Sequence, residues 1–193
     1  MDLLTRADIV GKQEYERQRQ DFRRRVMVQK DRRRVGVGNH CTFHFENRDT
    51  MRYQVQEMLR AEDSWTRDGA VEDELEAYNA LIPRPGELSA TMMLEYETAE
   101  ERAIMLPKFV GIDRHVRLHI GDTAPAIARF DRGQIDEHKV SSVQYVKFPL
   151  TDDQVRGLRT DGTVVRLVID HPAYQAQAVL SEETRKAIAD DPV

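Results

Sequence analysis

The stretch Cys41-Thr42-Phe43-His44-Phe45-Glu46-Asn47-Arg48-Asp49-Thr50, running straight into Met51-Arg52-Tyr53-Gln54-Val55-Gln56-Glu57-Met58-Leu59-Arg60, decides the reading of this chain. Residues 40–46 alternate: Cys41, Phe43 and Phe45 share one face, and His40, Thr42, His44 and Glu46 the other, as a strand with one wet face requires. The polar run 46–50 then opens a helix over about 49–63, whose Met51, Val55, Met58 and Leu59 fall on one side at helical spacing. Tyr53, Gln54, Glu57 and Arg60 form a polar stripe on the opposite side. A Glu57–Arg60 pair is worth only a few tenths of a kcal/mol, too little to account for that stripe. The junction therefore predicts a binding surface centred on Glu46, Arg48, Gln54, Glu57 and Arg60. The competing reading is structural, with Asn47 or Asp49 capping the helix and Arg48 paired to an acid.

Upstream, Tyr15, Phe22 and Val26 recur at seven and four residues. They predict one long helix over about 12–34, roughly 35 Å from end to end. Gly36 and Gly38 end it. Downstream, Val71, Leu75, Tyr78 and Leu81 predict a helix over 70–81, which Pro83 and Pro85 break. Leu88–Tyr96 reads as a strand, and Thr98-Ala99-Glu100-Glu101 as a capping box. The remainder is strand-rich. Val116, Leu118 and Ile120 alternate with His115, Arg117 and His119, and residues 125–130 are placed to return as a hairpin arm. Val140–Phe148, Val164–Asp170 and Tyr174–Leu180 are further strands. Thr151 and Ser181 cap short helices, and Asp161-Gly162 is a strong turn signal. Helices first and strands second make the class α+β: a single domain over 1–193, with a mainly antiparallel sheet.

The chain has 193 residues, 40% hydrophobic and 33% charged, with a net charge of −5. This is a globular composition rather than a disordered one. No apolar run approaches the roughly 20 residues of a membrane span. Asp2, Arg6 and Asp8 interrupt any signal-peptide core. One cysteine, Cys41, allows no intrachain disulfide. These features predict a bacterial cytoplasmic protein. Residues 1–35 hold 11 Lys/Arg against 6 Asp/Glu, and the rest 18 against 28, so a basic helical segment of +5 accompanies a body of −10. The segment either packs on its own body or an acidic partner, or grips phosphates. Packing is favoured, because its own acids stand at pairing distance from its arginines. Arg23-Arg24-Arg25 and Arg32-Arg33-Arg34 lack the interleaved aromatics of a nucleic-acid surface and read as a solvated helix face.

Catalytic motifs are few. Gly36-Val37-Gly38 starts like a dinucleotide loop, but Cys41 stands where the third glycine belongs. The loop also follows a helix and precedes a strand, the reverse of the fingerprint. His40 and Cys41 are adjacent on a strand and point to opposite faces, a poor arrangement for activating the thiol. His44 with Glu46, and His115 with His119, are two same-face pairs. If those faces met, they could hold zinc or iron for a metal-dependent enzyme. Alternation on the wet face of an antiparallel sheet explains them more simply. The sequence thus favours a binding or accessory protein without a cofactor of its own. A metal enzyme is the first alternative, and nucleic-acid binding through the basic helix the second.

Six segments also resemble, in collinear order over nearly the whole chain, a bacterial family of unknown function. They are Glu14-Tyr15-Glu16, Arg32-Arg33-Arg34-Val35, Phe45–Thr50, Gln56–Arg60, Leu88-Ser89-Ala90-Thr91 and Asp170-His171-Pro172-Ala173-Tyr174. The resemblance implies no activity. Members of that family look to be encoded near rubrerythrin-like proteins and iron–sulphur oxidoreductases. This implies a role beside a redox or peroxide-handling system, with a protein of that system as partner. The chain lacks the ligand motifs of either neighbour, which fits an accessory role.

Overall fold

A computed structural model describes residues 2–131, 133, 138 and 140–193. Helix α1 (Lys12–Arg32) comes first, followed by strands β1 (Arg34–Gly36) and β2 (Cys41–Phe45) and helices α2 (Arg48–Ala61) and α3 (Ala70–Asn79). Strand β3 (Glu87–Leu94), helix α4 (Ala99–Met105) and strands β4 (Val116–Ile120), β5 (Ala126–Ile127), β6 (Arg129–Phe130) and β7 (Val143–Pro149) follow. Helix α5 (Asp152–Arg159), the hairpin β8 (Val165–His171) and β9 (Tyr174–Val179), and helix α6 (Glu182–Ile188) complete the order. The class is α+β. The strands form two antiparallel sheets, ordered β1-β2-β3-β7-β6 and β5-β4-β8-β9.

The two sheets share one core. Cys41, Phe43, Phe45, Leu88, Ala90, Met92, Val146 and Phe148 point inward from the first sheet, and Val116, Leu118, Ile120, Val165, Leu167 and Ile169 from the second. Residues 126–130 do more than form the expected hairpin arm. Ala126 and Ile127 pair with β4, then Arg129 and Phe130 pair with β7, so one extended segment passes between the sheets. The outer face of the first sheet carries a second apolar cluster. There Met51, Val55 and Leu59 of α2 meet Val71 and Leu75 of α3, with Leu4, Leu81 and Ile82. Met58, expected in that stripe, is only half-buried. Tyr53, expected among the polar residues, is buried at 6% exposure.

Helix α1 lies on this body. Tyr15 and Val26 are buried, and Phe22 is half-buried with its ring edge-on to Tyr53 at 5.7 Å and the Arg52 guanidinium over it at 5.4 Å. The helix stops at Arg32, earlier than the spacing predicts, because the next residues turn inward. The sequence pattern predicts a solvated triplet at Arg32-Arg33-Arg34, yet Arg33 is 3% exposed. Its guanidinium makes two 2.7 Å contacts to the Asp191 carboxylate. Arg23, Arg24 and Arg25 do remain exposed. Gly36-Val37-Gly38 belongs to the β1–β2 hairpin. Gly38 has φ of 71°, and a Cβ there would lie 2.6 Å from the Tyr174 hydroxyl. That hydroxyl donates to the Val37 carbonyl at 2.7 Å and accepts from the His40 N–H at 3.0 Å, so the hairpin turn is fastened to β9. No helix among the described residues is long and apolar enough to cross a membrane.

Candidate functional site

The inward alternation of β2, β3 and β7 leaves their other residues facing the helices. Register aligns these into a row. Arg34 of β1 stands opposite His44 of β2, His44 opposite Thr91 of β3, and Thr91 opposite Tyr145 of β7. Four strands thus give one side chain each to the floor of a cleft of about 300 Å³. Met27, Lys30 and Asp31 of α1, Met51 and Gln54 of α2, and Tyr78 and Leu81 around α3 form its walls. The volume lies at the lower end of small-ligand sites, and mixed apolar walls with a few convergent polar groups are their usual lining.

Glu46 sits at the inner side of this floor, only 5% exposed. Its position follows from the N-terminus of α2. Asn47 is the N-cap and accepts from the Thr50 N–H at 3.0 Å, while the Thr50 hydroxyl accepts from the Asn47 N–H at 3.0 Å. The same hydroxyl donates to Glu46 Oε2 at 2.7 Å, and the Thr91 hydroxyl donates to Oε1 at 2.6 Å. A buried carboxylate is costly unless hydrogen-bonded, and it offers about four acceptor sites. Two are used. Among the described residues Glu46 has no cationic partner.

His44 is half-buried beside it. Burial lowers its pKa first of all; Glu46 opposes this and the Arg34 and Lys30 charges reinforce it. The net direction is down, so the ring is neutral at physiological pH, offering one donor and one acceptor nitrogen. Lys30 extends over the Tyr53 ring, 5.7 Å from its centroid.

The five residues predicted as one binding surface separate into two groups. Glu46 and Gln54 line the cleft, and Gln54 hydrogen-bonds the Tyr78 hydroxyl. Glu57 faces α1, where Arg19 makes two 2.7 Å contacts to its carboxylate and the Tyr15 hydroxyl donates at 2.6 Å. Arg60 pairs with Glu16 at 2.8 Å, and Arg48 pairs with Asp8. These three fasten the N-terminal segment to α2.

The two histidine pairs do not meet. His44 projects from the outer face of one sheet and His115 and His119 from the outer face of the other, because the alternate residues of both strands fill the shared core. His115 Nδ1 instead lies 3.0 Å from the Asp170 carboxylate. Among the described residues no group of three His, Cys, Asp or Glu is placed to hold a metal ion. Cys41 is buried in the core, and that burial, with the Glu95 charge, pushes its thiol pKa strongly up. Arg34, Thr91 and Tyr145 were not singled out from the sequence. Nothing local marks them, because their alignment is a product of strand register.

A family model described as "Protein of unknown function (DUF3501)" matches residues 3–192. The chain belongs to that family. It is also similar to a solved structure, a novel protein of unknown function from Burkholderia pseudomallei K96243. The two are 34% identical with a TM-score of 0.91, and the match covers 98% of this chain and 99% of the other. No curated protein matches the chain.

The cleft brings together charge, a buried acceptor and apolar contact. Arg34 and Lys30 supply positive charge at one rim, tempered by Asp31. Glu46 supplies a buried acceptor, His44 a neutral ring, and Met51, Leu81 and Met93 apolar contact.

Proposed function

We propose that this chain is a binding protein that acts as an accessory to a redox system, with its ligand seated in the cleft between α1, α2, α3 and the outer face of the five-stranded sheet. The observation that carries the binding role is the cross-strand row Arg34–His44–Thr91–Tyr145 beside a buried Glu46 that lacks a cationic partner among the described residues. Such a carboxylate still has acceptor capacity, and a bound donor would use it. The Cys41 thiol is buried and held protonated, which takes it out of redox and nucleophilic chemistry in the folded chain. The redox setting is supported by the family resemblance alone.

A thermal-shift screen of small organic acids, amines and zwitterions tests the binding role. It is run on the wild type and on Met93→Trp, which fills the cleft from its floor. Compounds that raise the melting temperature of the wild type should leave the variant unmoved. Hits that act equally on both, or a screen without hits, would remove the cleft as the site. Co-purification from the native bacterium tests the setting separately. A rubrerythrin-like or iron–sulphur protein should be recovered with the chain, and its absence would detach the redox association from the binding role.

A further inference from the structure

The cleft carries opposite charges at separated places, and neither is neutralised by a neighbour. Glu46 lies on its inner side, buried, with only hydroxyl donors on its oxygens. Arg34 lies at the outer rim, and among the described residues its guanidinium has no hydrogen-bond or ion-pair partner. Lys30 is beside it, and Asp31 on the same rim leaves a net single positive charge there. His44 stands between the two regions.

Register gives the separation. Arg34 is directly opposite His44, and Glu46 is two residues beyond His44, just past the end of β2. One strand spacing across and two residues along put the Arg34 and Glu46 backbones about 8 Å apart. The lining of the cleft also includes Met51 and Leu81, which offer apolar contact and no charge. A simple anion would pair with Arg34 but leave Glu46 as it is. A simple amine would satisfy Glu46 but meet the positive rim. Both ends are answered only by a molecule with an anionic group, a short apolar spacer and an ammonium.

We propose that the cleft selects such a spaced zwitterion, its ammonium on Glu46 and its anionic group on Arg34. This inference rests on the cleft being a ligand site. The test is isothermal titration at low ionic strength with glycine, γ-aminobutyrate and ε-aminocaproate, and with hexanoate and hexylamine as single-charge controls. Affinity should rise from glycine to ε-aminocaproate, which should exceed each control by roughly tenfold, the scale of one charge-assisted hydrogen bond. Arg34→Ala should reduce ε-aminocaproate to the level of hexylamine, and Glu46→Gln to that of hexanoate. Arg34 is exposed, so its variant remains informative even if Glu46→Gln does not fold.

Equal binding of a control and ε-aminocaproate would overturn the proposal, as would indifference to Arg34→Ala or no binding by any of the five compounds. If thermal-shift hits sensitive to Met93→Trp exist in that case, the cleft still stands as a ligand site of other polarity. If none exists, the cleft itself is refuted.

Discussion

Glu57 offers the sharpest test of how α1 is held. The Arg19 guanidinium, aided by the Tyr15 hydroxyl and against the opposing effect of burial, holds the Glu57 carboxyl down at about 2, from an ordinary 4.5. At about 1.36 kcal/mol per unit, that difference sets a ceiling of roughly 3 kcal/mol on the stabilisation. Glu57 and Arg19 are 21% and 29% exposed, so water screens the pair and about 1–2 kcal/mol is the realistic share. Glu57→Gln keeps the shape and removes the charge. Because the folded pKa lies below the unfolded one, the stabilisation is complete above the ordinary carboxylate range and drains away as pH falls toward about 2. Urea unfolding of the wild type and Glu57→Gln should therefore differ by about 1–2 kcal/mol near neutral pH, and by much less at about pH 3. A gap of the same size at both pH values would refute the ionic account. No gap at neutral pH, with ligand binding lost, would place Glu57 in a functional surface rather than an anchor.

Three further outcomes are expected. Arg33→Ala leaves Asp191 buried without its partner and should cost about 3–5 kcal/mol in urea unfolding, whereas Arg33→Met with Asp191→Leu should recover most of it. Tyr174→Phe removes the hydroxyl that joins Val37 to His40 and should cost about 1–2 kcal/mol by thermal unfolding; Gly38→Ala should cost more, since it adds a clash and a left-handed backbone conformation that alanine disfavours. Cys41 should resist a thiol reagent in the native protein and react fully in urea, because burial holds the thiol protonated; ready reaction of the folded protein would contradict its burial.

Periodicity carried the elements that bury one face. The Met51, Val55 and Leu59 stripe, the Val116–Ile120 alternation and the caps at Thr98, Thr151 and Ser181 all stand where their spacing put them. Strand β1 is too short, at three residues, to show a period, and the burial of Arg33 has no local signal because its partner is 158 residues away. Glu46 and Gln54 were legible as polar groups at a strand–helix junction. Their companions Arg34, Thr91 and Tyr145 come from three other strands, and only register aligns them. The two histidine pairs show the converse limit. Alternation identifies a polar face correctly, but whether two such faces meet depends on how the sheets stack.

The Arg33–Asp191 clamp also orders events during folding. Arg33 ends α1, while Asp191 lies 158 residues further along and is made correspondingly later. The same terminal stretch supplies the Pro192 carbonyl that accepts from the Gly86 N–H at 2.7 Å. Until it arrives, a guanidinium destined for the interior must stay hydrated. Contacts of such long sequence separation form late and slowly, because loop-closure entropy is spent before they stabilise anything. Helix α1 is therefore locked at its C-terminal end late in folding, although it is made well before its partner.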